Sequence, residues 1–462
     1  MSTMKSMQDR VAPFVISLAM AWCVAGPVRG QDTSSAVGST DADRIQKLED
    51  AVRQLSNQNQ ELQQQITDLK SSKLTHIFQP TETNKPALFV IPGGTEGKLV
   101  LGGYFQGNAE FGDVDAYRGS WAGEKGHNSR AFDRFKIRRA RIGAWGDFWE
   151  NFDFKLMGDF GQSDGTSPRD DFSGTDIYLN WHQFSEANIK FGQFDTPFGM
   201  EQFSIPDMMT LTPERSEVTE GLRAERQIGV MVWGKPLADE WPEQKDLLAY
   251  YFGVFNGNLR NVNVNDNNDF MYMGRVEVQA FQGQIFNQPT TWKLGIDGYY
   301  SADATNTLVS QTGNIWTQPD GSLKSLSVQT KSDQRLAGGI DQRFTCGPLT
   351  IQAEYLQTHF HDALATVRNF TAHGYWVVTA YQFIPKKLEL VGKYEYFDPD
   401  QLPSDDLWTT TGGINYYPRG NGPGEITLMV DYLHTWSHFR ELNPSFGTDQ
   451  FDEIMARAEF SF

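Results

Sequence analysis

The sequence predicts an all-β fold: a closed antiparallel transmembrane β-barrel of about sixteen strands, preceded by a short periplasmic coiled-coil helix. Three observations predict it. From Lys98 onward, apolar and polar residues alternate with period two in segments of about ten, as in strands with lipid on one face and water on the other. Short turns alternate with long polar loops along the same stretch. The composition joins 13% aromatic residues and 43 glycines to only 39% hydrophobic residues, which suits half-wet strands and not a bundle of membrane helices. Outside the N-terminus no run approaches the ~18 uninterrupted apolar residues a spanning helix needs.

Residues 1–30 read as a secretory signal. Lys5 and Arg10 form the basic region, Val11 to Ala25 the apolar core, and Val28-Arg29-Gly30 the cleavage region before Gln31. Removal of Cys23 with the signal leaves Cys346 alone, so no intrachain disulfide is expected. Residues 31–42 are a Ser/Gly/Thr-rich linker. Residues 43–72 carry heptads: Ile45, Val52, Asn59 and Ile66 take one seam position, and Leu48, Leu55, Leu62 and Leu69 take the other. A seam this narrow, flanked by Gln, Asn, Lys and Asp, is buried only against other copies of itself, so self-association is expected. Asn59 leans toward a dimer, and strand number stays open. Residues 73–97, with Pro80, Pro86 and Pro92, connect to the barrel at 98–462.

Within that segment each strand sorts its residues onto two faces. Phe152, Phe154, Leu156 and Phe160 oppose Asp153, Lys155 and Asp159; Ile177, Leu179 and Trp181 oppose Tyr178, Asn180 and His182. Leu388, Leu390, Tyr394 and Tyr396 oppose Glu389, Lys393 and Glu395. The last strand turns Ile454, Ala456, Ala458, Phe460 and Phe462 outward and Glu453, Arg457 and Glu459 inward. In Phe135–Trp145, Ala140, Ile142 and Ala144 share one face and Arg139 and Arg141 the other. A buried soluble strand would not carry those arginines without partners; a surface strand would, and so would a strand with lipid outside and water inside. Short turns such as Asp147–Asn151, Ser185–Asn188 and Thr345–Pro348 alternate with long loops at Asp113–Arg130, Gly161–Thr175, Asp195–Glu225, Gly257–Asp269, Ser301–Ser332, His359–His373 and Ser437–Gln450. A soluble two-sheet protein shares the alternation, but not aromatics bracketing Gly and Ala on strand after strand, nor so long a sheet left open.

These stretches resemble the phosphate-selective porin O/P family of outer-membrane channels. The resemblance rests on Phe135–Gly143 (FKIRRARIG), Ile189–Gly199 (IKFGQFDTPFG), Leu211–Val218 (LTPERSEV), Gln227–Gly234 (QIGVMVWG), Gly253–Gly257 (GVFNG), Leu388–Phe397 (LELVGKYEYF), Gly412–Pro418 (GGINYYP) and the final Phe. It implies an outer-membrane homotrimer with its coil in the periplasm, a pore narrowed by the third long loop, Asp195–Glu225, and lumenal arginines that pass oxyanions. A guanidinium in a narrow pore replaces phosphate hydration with bidentate, charge-assisted bonds, and several weak sites let the ion both enter and leave.

Alternation and the third loop nominate Arg139, Arg141, Lys155, Lys190, Arg215, Arg223, Arg226, Arg275, Lys293 and Arg335 as pore-lining or anion-binding residues, with Arg343, Lys393 and Arg457 on the same faces. Asp153, Asp159, Glu277, Asp297, Asp341, Glu354, Glu389, Glu395, Glu453 and Glu459 share those faces, and the formal net charge is −18. Two readings follow: a basic ladder for anions, or a mixed lattice in which each arginine pairs with an acid. Asn261–Asp269 fits no defined calcium loop. No metal or cofactor and no nucleic-acid partner is expected; the partners are membrane lipid, small hydrophilic or anionic solutes, and other copies of the chain. No nucleophile elbow, phosphate loop or zinc-protease motif occurs, so an enzyme is not expected. A structural anchor without conductance is the remaining alternative.

Overall fold

A computed structural model describes residues 89–92, 97–114, 133–161, 172–265, 267–303, 333–362, 369–399, 401, 406–438 and 449–462. The signal at 1–30, the linker at 31–42, the heptads at 43–72 and most of the connector at 73–97 lie outside the described residues. A short strand, β1 (Phe89–Pro92), pairs antiparallel with the start of the first barrel strand. The barrel strands are β2 (Gly97–Gly112), β3 (Arg134–Phe148), β4 (Phe152–Asp159), β5 (Ser173–Trp181), β6 (Asn188–Asp195), β7 (Arg226–Gly234), β8 (Leu248–Phe255), β9 (Met271–Ile285), β10 (Gln288–Asp303), β11 (Asp333–Cys346), β12 (Leu349–Asp362), β13 (Phe370–Ile384), β14 (Leu388–Asp398), β15 (Leu407–Tyr416), β16 (Ile426–Ser437) and β17 (Gln450–Ser461). Each pairs antiparallel with the next, and β17 pairs with β2 from Glu453↔Gly112 to Ser461↔Tyr104. The sixteen strands β2–β17 therefore form a closed ring with no free edge.

Burial is inverted relative to a soluble protein. Leu156, Ile177, Phe191, Ile340, Ile414, Val430, Ile454 and Phe460 are exposed on the outer wall. Gln106, Asp159, Glu354, Glu395, Asp431, Glu453 and Glu459 are buried inside. That is the pattern of a wall facing hydrocarbon, where apolar side chains need no partners and polar ones find theirs in the lumen. The short-turn rim is tightly made. Phe286 and Asn287 both adopt positive φ, 51° and 59°, as the two-residue turn joining β9 to β10 requires.

Strand length departs from the uniform ten-residue expectation. β4–β8 have 8 or 9 residues, whereas β9–β13 have 11 or more and β10 has 16. The segment His359–His373, expected as a loop, is partly strand: β12 continues to Asp362 and β13 starts at Phe370. Backbone pairing extends past the apolar band into water, where side-chain alternation no longer marks it.

The connection between β6 and β7, Thr196–Glu225, folds into the lumen. It contains a π-helical turn at Met200–Ser204, a 3-10 turn at Asp207–Met209 and a helix, α1 (Glu217–Leu222). Ser216 caps α1 by accepting from the Thr219 N–H at 3.0 Å. Val218 and Leu222 are fully buried, and an added Cβ at Gly221 would stand 2.6 Å from the Phe397 ring on β14.

Candidate permeation path and its charged lining

Two clusters hold the inward loop. At the first, Asp207 meets the wall formed by β2 and β3. Its Oδ2 accepts from Arg141 Nη1 at 2.5 Å and from the Tyr104 hydroxyl at 2.8 Å. Its Oδ1 accepts from Arg215 Nη1 at 2.6 Å and lies 3.3 Å from Arg139 Nη2. Its backbone carbonyl accepts from Gln106 Nε2 at 3.0 Å. Burial raises the Asp207 pKa, but Arg139, Arg215 and Arg141 outweigh it and hold the carboxyl well below the usual carboxylate range. Arg141 also donates to Asp159 at 2.8 Å.

At the second cluster the charges are reversed. Arg275 on β9 binds Glu277 at 2.9 Å, Asp341 at 2.7 Å and Asp297. The start of the loop docks beside it through backbone donors: Gly199 N–H gives to Asp297 at 3.1 Å, and Met200 N–H gives to Glu354. Glu354 also accepts from Trp376 at 3.0 Å and from the Thr219 hydroxyl at 3.2 Å.

At least seven of the ten nominated cations form ion pairs, so most of the lining is a mixed lattice. Besides Arg139, Arg141, Arg215 and Arg275, Lys155 pairs with Asp176 at 3.1 Å. Arg226 pairs with Asp176 at 2.9 Å and Asp195 at 2.6 Å. Arg223 pairs with Glu220 and Glu225, each at 2.8 Å. Arg335 is buried on β11, in register with Ser301 and Phe360. Lys190 sits with its Nζ 4.3 Å from the Tyr178 ring centre, a cation–π contact with no carboxylate partner among the described residues.

Lys293 differs from all of these. It is exposed to the lumen and lies directly opposite Arg343 across the β10–β11 pair. The flanking register partners are Gln279 and Gln352, so a row Gln279–Lys293–Arg343–Gln352 crosses four strands near the short-turn rim. Among the described residues neither cation has an ion pair. Like charges placed opposite one another cost stability, and among the described residues no carboxylate is in ion-pair contact with either; Glu277 and Asp246 act on Lys293 only from farther off.

Alternation missed two participants. Arg138 should face lipid beside Ala140 and Ile142, yet it donates to Glu214 at 2.8 Å and 3.0 Å inside the barrel. The register slips there: Gln106 pairs with Arg139 and Gly107 with Ile137, which leaves Arg138 as the extra residue of a β-bulge. The signal was present, because an arginine on the lipid face is costly and a bulge removes it. Asp207 gave no periodic signal, since it lies in the loop.

A family model described as "Phosphate-selective porin O and P" matches residues 105–462. Porin O of Pseudomonas aeruginosa is 25% identical over 277 residues, 55% of this chain and 59% of that protein; the chain thus matches about three-fifths of that relative's length. Among solved structures, Pseudomonas putida OprB superposes with a TM-score of 0.51 at 13% identity over 79% of this chain and 94% of that one. OmpT of Vibrio cholerae gives 0.50 at 10% identity over 81% and 100%. With a closed barrel, a charged lumen and a match from its first barrel strand to its last residue, this chain is an outer-membrane-type β-barrel and belongs to the phosphate-selective porin O and P family.

Proposed function

We propose that the protein gives passive diffusion to small hydrophilic solutes and favours anions, phosphate among them. The reading is supported chiefly by the unpaired row Lys293–Arg343. The nominated residues line the path, but those already bound to carboxylates contribute little net field, whereas Lys190, Lys293 and Arg343 remain available to a passing anion. Each is a weak site, as conduction requires. A second reading, a charge-balanced channel without anion preference, is favoured by the ion pairs that occupy seven of the nominated cations.

The test is a reversal potential across a planar bilayer in a potassium chloride gradient. Anion preference is expected. Lys293→Gln with Arg343→Gln should lower the anion-to-cation permeability ratio at least about fivefold, since each charge at contact distance in water is worth about 1 kcal/mol. A cation preference in the unaltered protein would remove the anion reading and leave the porin. We further infer that the protein works as a homo-oligomer, a trimer, joined by a periplasmic coil at 43–72. A native mass equal to one chain in mild detergent would overturn this.

A further inference from the structure

We propose that Asp207 is a built-in occupant of an oxyanion site, and that this residue sets which solutes the constriction accepts. The inference rests on the porin reading above. Arg139, Arg141 and Arg215 come from two separate parts of the chain, the β3 wall and the inward loop, and all converge on one carboxylate. Tyr104 adds a fourth donor at 2.8 Å. Three guanidiniums and a phenol around one group are the donor set that recognises a phosphate or a similar oxyanion.

The site offers more than Asp207 can use. Among the described residues the three arginines are in ion-pair contact with only two carboxylates, Asp207 and Asp159, while Glu201, Glu220 and Asp195 act on Arg215 from farther off. Arg139 is 4% exposed, and its Nε has no hydrogen-bond partner. A carboxylate has two oxygens, already taken by Arg141 and Tyr104 on one side and by Arg139 and Arg215 on the other. A tetrahedral oxyanion would bring further oxygens and a second charge to the same donors. The chain thus holds its own anion where a solute anion would bind, and the passing solute is left to the weaker row at Lys293 and Arg343.

Vacating the carboxylate tests this. In Asp207→Asn the three guanidiniums lose their main counter-charge while the loop keeps a side chain of the same shape. Inorganic phosphate added to chloride should then block the single-channel current at a concentration at least tenfold lower than in the unaltered protein. Asp207→Ser, which empties the same space with a smaller side chain, should do the same if the asparagine variant folds poorly. Asp207→Glu should restore the unaltered response. Adding Arg139→Gln and Arg141→Gln to Asp207→Asn should abolish the new block.

A purely structural role predicts otherwise: conductance would rise equally for potassium and chloride as the loop loosens, with no new response to phosphate. That result overturns the proposal. So does tight phosphate block in the unaltered protein, because the site would then not be filled by Asp207. Both outcomes leave the porin and its reversal potential untouched, so failure here is distinct from failure of the channel reading.

Discussion

The two clusters that hold the inward loop are charge-inverted versions of one another. At Asp207 a single carboxylate is held by three arginines. At Arg275 a single guanidinium is held by three carboxylates. The loop presents an acid to the basic wall of β2 and β3, and backbone N–H groups to the acidic wall around Asp297 and Glu354. A loop docked this way is oriented by charge as well as by shape, because turning it around would put like charges together. The difference also teaches where selectivity can arise: charge spent on docking is unavailable to solute, and the exposed Lys293 with the half-buried Arg343 opposite it is left to supply it.

The comparison breaks most severely at its acidic end. Arg275→Met leaves two buried carboxylates, Asp297 and Asp341, and the half-buried Glu277 with no cation in contact, and removal of one partner from a buried charge cluster costs about 3–5 kcal/mol. The variant should unfold at distinctly lower denaturant in detergent micelles, measured by loss of the β-sheet circular dichroism signal. The basic end is more redundant. Arg215→Met leaves Arg139, Arg141 and Tyr104 on Asp207 and loses the Arg215 contacts to the Glu201 and Ile205 carbonyls. Hydrogen bonds to a charged group are worth about 1.5–3 kcal/mol, so a cost near 2 kcal/mol is expected by the same measurement, below that of Arg275→Met. Equal costs would mean the two clusters are not opposites in this sense.

The smallest effect expected is one of pH. The Asp207 pKa is depressed in the folded protein, so its ionised form stabilises loop docking above its unfolded value near 4. That stability is lost only as pH falls through the lower, folded value. The contribution of Asp207 should therefore be unchanged between pH 7 and pH 5, and any conductance change in that window should be the same in the unaltered protein and in Asp207→Asn. A step in conductance across that window, abolished by Asp207→Asn, would show that Asp207 titrates near neutrality and that its arginines do not hold it.

Much of the barrel was legible in the chain. Lipid outside and water inside impose a strict two-residue rhythm, and Leu156, Ile177, Leu390 and Ile454 fall outward where that rhythm puts them. The bulge at Arg138 was only half legible: the rhythm sends it into lipid, and the cost of that placement is what moves it inward. The strands that run past the apolar band, as at His359–Asp362, were not legible because water faces both sides there.

By itself the sequence determined the wall: its alternation, its approximate strand number and the set of side chains that point inward. Only the tertiary structure decided which inward cations are spent and which are free. Arg141 and Lys293 carry the same charge and obey the same alternation. One meets Asp159 and Asp207 and the other faces Arg343. Pairing depends on partners far along the chain and on a loop with no period of its own, and a local pattern carries no information about either.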